Sequence, residues 1–190
     1  MSKGLTPGSV LPDFTLPDEN GIMYRLSQLQ GDDAMILMLG RGEHCPRERQ
    51  QQREMVRFHQ WCPVAFTQLV TVLPNDLHDV YKMRISTGAH WPYLADANLQ
   101  VQRTFEIDEY TDPHHRASVP HTLVVAPGLV VDKVYVGYWF WGRPSPFQLW
   151  EDLQDLLRRS KADFDPTGAQ ARAAWVAAPE PQPAGLTGHA

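Results

Sequence analysis

Cys45 is the residue best placed to do chemistry, because it stands directly before Pro46 and a run of helix-forming side chains. A cysteine is a nucleophile only as its thiolate, and a free thiol titrates near ~8.5, so a reactive one needs surroundings that favour negative charge. A helix beginning at Pro46 aims unpaired backbone N–H groups and the positive end of its dipole at the preceding sulfur. Arg41, Arg47 and Arg49 are close in sequence and add positive charge, His44 adds more when protonated, and Glu43 and Glu48 oppose it. The only other cysteine, Cys62, follows that helix. Roughly 15 helical residues span ~22 Å, whereas a disulfide needs Cα atoms about 5.5 Å apart, so the two thiols cannot bridge within one folded chain. His114, His115 and His121 invite a metal reading, but no cysteine or carboxylate joins them at zinc-like spacing, and a solvated loop is expected. No cofactor or metal is expected.

The elements that must position Cys45 follow from pattern. A hairpin is predicted within residues 13–29, where Phe14-Thr15-Leu16 and Ile22-Met23-Tyr24 flank the turn Asp18-Glu19-Asn20-Gly21. The unbroken apolar run Ala34-Met35-Ile36-Leu37-Met38-Leu39 reads as a central strand buried on both faces. A helix over residues 46 to about 61 comes next, then a strand over 66–73, Pro74-Asn75-Asp76 as turn and cap, and a helix over 77 to about 85. A short helical stretch is predicted over 99–105, a loop rich in charge and histidine over 108–118, and a hairpin of 119–125 with 130–136. Ser145-Pro146 begins a last helix whose Phe147, Trp150, Leu153, Leu156 and Leu157 share one face, which is expected to pack on the sheet.

Composition sets the outer bounds. The 190 residues, 43% apolar, suffice for one well-buried core, and 17 basic against 22 acidic residues give a net charge of -5 that makes nucleic acid an unlikely partner. No apolar run has signal-peptide or membrane-span length, so a cytoplasmic protein without membrane contact is expected. The expected division is an N-terminal extension (1–12), one α/β domain (13–162) and a disordered Ala/Pro-rich tail (163–190). Tyr138-Trp139-Phe140-Trp141 cannot all point inward from a strand, so some are expected to be exposed or covered by a second subunit, with a homodimer contact the leading reading and an apolar substrate pocket the next. The run Arg47 to Arg53 reads as a solvated helix face.

Four local matches, in order, resemble the thioredoxin-like fold as used by the peroxiredoxin superfamily: a central mixed sheet flanked by helices, with an N-terminal hairpin. Leu11-Pro12-Asp13-Phe14-Thr15-Leu16 followed by Asn20-Gly21 resembles the opening segment of the alkyl hydroperoxide reductase and thiol-specific antioxidant family. Arg41-Gly42-x-x-Cys45-Pro46, with Arg49 and Gln51 behind it, is similar to the loop of a redoxin-like branch. Val119-Pro120-His121-Thr122-Leu123 resembles the segment where such folds place a cis proline facing the active cysteine, although read alone Pro120 is an ordinary trans proline at a strand edge. Val136-Gly137 with Arg143-Pro144-Ser145 resembles the approach to the final helix. The match departs at Met38 and Gly42, where the family carries proline and a threonine or serine, and at Glu48, where the branch carries its second cysteine. The family's arginine would fall near Val119, leaving Arg116 or Arg143 to stand in.

The resemblance implies a thiol peroxidase that reduces hydrogen peroxide or alkyl hydroperoxides through a Cys45 sulfenic acid, with Gly42, Arg143 and Pro120 around the sulfur. With Cys62 out of reach, the expected cycle uses one cysteine and an external thiol reductant, thioredoxin-like or glutathione-like. Two other readings compete: a thioredoxin-like thiol–disulfide exchange protein, which Glu48 counts against, and a non-catalytic redoxin-fold binding protein, consistent with Gly42 and Val119.

Overall fold

Thr15–Pro17 (β1) and Met23–Arg25 (β2) pair antiparallel, closing the predicted N-terminal hairpin. Asp18 shapes its turn: Oδ1 accepts from the N–H groups of Asn20 and Ile22, each at 2.8 Å. These elements come from a computed structural model that describes residues 4–138 and 141–178. A short helix, Leu26–Gln30 (α1), leads to Ala34–Leu39 (β3), in which all six side chains are buried. Met35, Leu37 and Leu39 join Leu16, Leu26, Val70, Phe105 and Leu123 in the main apolar cluster, while Ile36 and Met38, also buried, alternate with them. Burial on both faces is why the run shows no polar alternation.

Pro46–His59 (α2) follows, with proline at its first position. Thr67–Leu73 (β4) leads to Leu77–Thr87 (α3), whose N-cap Asp76 accepts from Asp79 N–H at 3.0 Å and whose end is closed by left-handed Gly88. Tyr93–Ala95 (β5) and Gln100–Phe105 (α4) come next, then His121–Ala126 (β6), Val130–Val136 (β7) and Pro146–Ser160 (α5). Asp96 accepts from the N–H groups of Gln100, Val101 and Gln102, fixing where α4 starts. The sheet order is β5-β4-β3-β6-β7, with β3 parallel to β4, β4 parallel to β5, and β6 antiparallel to both β3 and β7. Ahead of the hairpin, Gly8 and Leu11 donate to the Val131 and Leu129 carbonyls, so residues 8–11 run along β7.

The buried stripe of α5 differs from the expectation. Leu149 and Leu153 are buried and Trp150 packs edge-on against Trp61, with ring centroids 5.6 Å apart, while Phe147 is exposed. Phe147 sits in the first turn of the helix.

The chain divides into two compact units, Met1–Gln154 and Asp155–Ala190. In the second, Arg158 lies over the Phe164 ring and Ala169–Ala177 forms α6, a helix that the compositional reading of the tail did not contain; its alanines favour the helix without needing an apolar stripe. Residues 179–190 of the expected tail lie outside the described residues. No helix among the described residues is long and apolar enough to cross a membrane.

Candidate active site

The sheet register gathers the site at one end. Leu39, last in β3, pairs with His121, first in β6, and His121 pairs with Val136, last in β7. The loop after β3, the residues before β6 and those after β7 therefore meet. Ser118 N–H donates to Arg41 O at 3.1 Å, and Gly137 N–H to Pro120 O at 2.7 Å.

Cys45 is the N-cap of α2, with extended backbone (φ -81, ψ 117) and Pro46 behind it. Its side chain makes no capping hydrogen bond, so the sulfur stands at the open end of the helix without closing it. The residue is 5% exposed. The cation coupled to this thiol is that of Arg41, from the same loop. Arg41 is raised above the ordinary arginine value, first by its hydrogen bond to Glu109, against its own burial, and then by its electrostatic interaction with Cys45. Arg41 Nε donates to Glu109 Oε2 at 2.5 Å and Nη2 to Asp112 Oδ2 at 2.9 Å, which fixes the side chain in place.

The two acids expected to oppose a thiolate are both paired. Glu43 accepts from Arg49 and lies 3.1 Å from Lys82 Nζ. Glu48, in the first turn of α2, accepts from Arg41 N–H at 3.0 Å and Gln52 Nε2 at 2.9 Å and lies 3.4 Å from Arg143 Nη2. Arg47, by contrast, turns toward Glu54 at 4.0 Å.

Arg143 therefore reaches the helix turn that follows Cys45, and Pro120 lies beside it. A Cβ on Gly137 would meet Pro120 Cγ at 3.1 Å and Arg143 Cγ at 3.4 Å, so both approach across a residue that has no side chain. The cis geometry expected for Pro120 is corrected: its peptide bond is trans, and no described peptide bond is cis. Ser118 and Val119 are pinned by bonds to the Arg41 and Ile107 carbonyls and feed β6 directly, the extended path a trans proline provides.

Gly42 is the second departure with a physical cause. Its φ of 140 is one that side chains rarely adopt, and a Cβ would lie 2.8 Å from His44 Cε1. The position where the family carries a hydroxyl holds glycine because the His44 ring fills the space.

Cys62 is buried, its Sγ 3.7 Å from Phe58 O, and burial pushes its thiol up to about 12. Both cysteines are free, and the 14 residues of α2 stand between them.

The histidine cluster divides. His121 is buried on β6 with Nδ1 2.8 Å from Val119 O, whereas His44 comes from the Cys45 loop to stack on His115. Arg116 lines a cleft of about 450 Å³ with Arg41, Gly42, Glu43, His44 and Asn75, whereas Arg143 is the arginine that pairs with Glu48. Tyr138 and Trp141 are exposed; Trp139 and Phe140 lie outside the described residues.

Sequence reasoning missed the inner face of α2. Glu48, Gln51 and Gln52 are buried, correcting the solvated face expected for that run. Gln52 Oε1 accepts from Tyr93 OH at 2.7 Å and Thr71 Oγ1 at 3.2 Å, and Gln51 donates to Thr122 Oγ1 at 3.1 Å. Glutamines in a charged run carry no periodic signal. Glu109 and Asp112 were also missed; their one hint was the acidic character of the loop holding them.

Comparison with known proteins bears on the fold. No curated protein matches significantly. Among solved structures, the peroxidoxin BcpB of Mycobacterium tuberculosis is similar, with TM-score 0.67 at 19% identity over 82% of this chain and 97% of that one. Enterococcus faecalis AhpC gives TM-score 0.71 at 13% identity over 83% and 96%, and the yeast mitochondrial 1-Cys peroxiredoxin 0.67 at 13% over 84% and 78%. The AhpC/TSA family model matches residues 7–134, most of the chain, so this protein belongs to the AhpC/TSA family, within the peroxiredoxin superfamily, and has its thioredoxin-like fold.

Proposed function

We propose that the protein is a one-cysteine thiol peroxidase acting on hydrogen peroxide or alkyl hydroperoxides. The observation that carries the reading is Cys45 at the open N-terminus of α2, with Arg41 of the same loop electrostatically coupled to it. The thiolate attacks one peroxide oxygen, the O–O bond breaks, and the other oxygen leaves as alkoxide or hydroxide and takes a proton. Sulfur is oxidised to the sulfenic acid and the peroxide is reduced to alcohol or water. Arg41 supplies positive charge where the departing oxygen becomes negative. An external thiol then condenses with the sulfenic acid, releasing water, and a second thiol cleaves the mixed disulfide to restore Cys45.

The burial of Cys62 supports a single-cysteine cycle. Family membership favours a peroxide over a disulfide as oxidant. Exposed Tyr138 and Trp141 favour pairing with a second copy, and a reducing compartment such as the cytoplasm would supply the thiol. The test mixes reduced protein with a small excess of peroxide and reads dimedone adducts by mass spectrometry. The adduct is expected on Cys45 and absent in Cys45→Ser; an unmodified Cys45 in the wild type overturns the reading.

A further inference from the structure

We propose that His44, Asp112 and His115 form a binding site for a first-row divalent transition-metal ion at the rim of the cleft beside the Cys45 loop. The three residues come from two loops, 40–45 and 108–118, yet their donor atoms all lie within 4.8 Å of one another. Asp112 Oδ2 is 3.6 Å from His44 Nε2 and 3.0 Å from His115 Nδ1. Two ligand atoms about 2.0–2.1 Å from one tetrahedral ion stand roughly 3.3 Å apart, so the two Asp112 separations are already close to that spacing. Two imidazoles and a carboxylate suit zinc, cobalt(II) or iron(II) and leave coordination positions open to water.

A cation already bridges two of the three: Arg41 Nη1 lies 3.2 Å from His44 Nε2, and Nη2 donates to Asp112. A divalent ion would take over those two contacts and leave Arg41 to Glu109 and Cys45.

One rearrangement is required. The His44 and His115 rings are parallel within 2° at 3.7 Å, and a metal lies in the plane of each ring that binds it, so the stack must splay. His115, its side chain 46% exposed, has the room to turn.

The test titrates zinc into the reduced, tag-free chain by calorimetry, with Cys45→Ser, His115→Ala, Asp112→Asn and His114→Ala alongside. One equivalent is expected to bind to the wild type and to Cys45→Ser, with affinity unchanged in His114→Ala. It should fall at least ~10-fold in His115→Ala and Asp112→Asn. Absence of saturable binding, equal binding by His115→Ala, or loss of binding in Cys45→Ser each overturns the site. None of these outcomes depends on peroxidase activity.

Discussion

Arg143 and Glu48 meet as a buried ion pair, Nη2 to Oε2 at 3.4 Å, with side chains only 2% and 1% exposed. One follows β7 and the other lies in the first turn of α2, so the pair ties the last loop to the helix that carries Cys45. Removing one partner strands a buried charge. Arg143→Met is therefore expected to lose about 3–5 kcal/mol of stability in urea unfolding, and Glu48→Gln/Arg143→Met to recover most of that loss. Losses that merely add would show that the two groups do not act as a pair.

Arg41 is the cation coupled to Cys45, and Glu109 and Asp112 hold its side chain in place. Arg41→Met should slow both iodoacetamide alkylation and peroxide oxidation of Cys45 by about tenfold, a barrier change of ~1.4 kcal/mol. Arg47→Met should change neither rate, because Arg47 turns toward Glu54. Stopped-flow rates for the two variants decide it; equal slowing by both would remove Arg41's special place.

Restoring the family's hydroxyl is expected to fail. Gly42→Thr places a branched side chain at φ 140 and against the His44 ring. A loss of about 1–3 kcal/mol is expected, with no gain in peroxide rate. Adding His44→Ala should return only the part due to the clash, since the backbone strain remains. Urea midpoints of the single and double variants separate the two contributions.

What the sequence revealed follows from where local chemistry dictates structure. The β3 run, the Asp18 turn, the Asp76 cap and Pro46 at a helix start each act within a few residues, and each is found where its residues predict. The trans state of Pro120, the inward face of α2 and the move of His44 onto His115 depend on partners in other elements of the fold, such as Thr71, Tyr93 and Thr122 for the α2 glutamines, or on space in the folded interior. Short elements escaped for another reason: α1 and β5 have too few residues to show a period. Arg143 was found only through resemblance, and its partner Glu48 had been noticed as an opposing charge rather than as its ion-pair mate.

Three histidines make the fold sensitive to mild acid. His121 is lowered by burial, against a bond to the Val119 carbonyl; His59 by burial and His90; His44 by burial, His115 and Arg41. In the unfolded chain each titrates near its ordinary 6.5. As pH falls through that value the unfolded state takes up protons that the folded state refuses. Stability present above 6.5 is thus lost as pH drops toward the lower folded values, where the loss levels off. Asp96, raised by burial, works in the opposite sense because its folded form accepts a proton first. Urea midpoints at about pH 7.5 and about pH 5 are expected to fall with acid, and His121→Gln should flatten the dependence. A midpoint that is constant, or that rises toward acid, would show that these imidazoles gain their protons as readily in the fold as out of it.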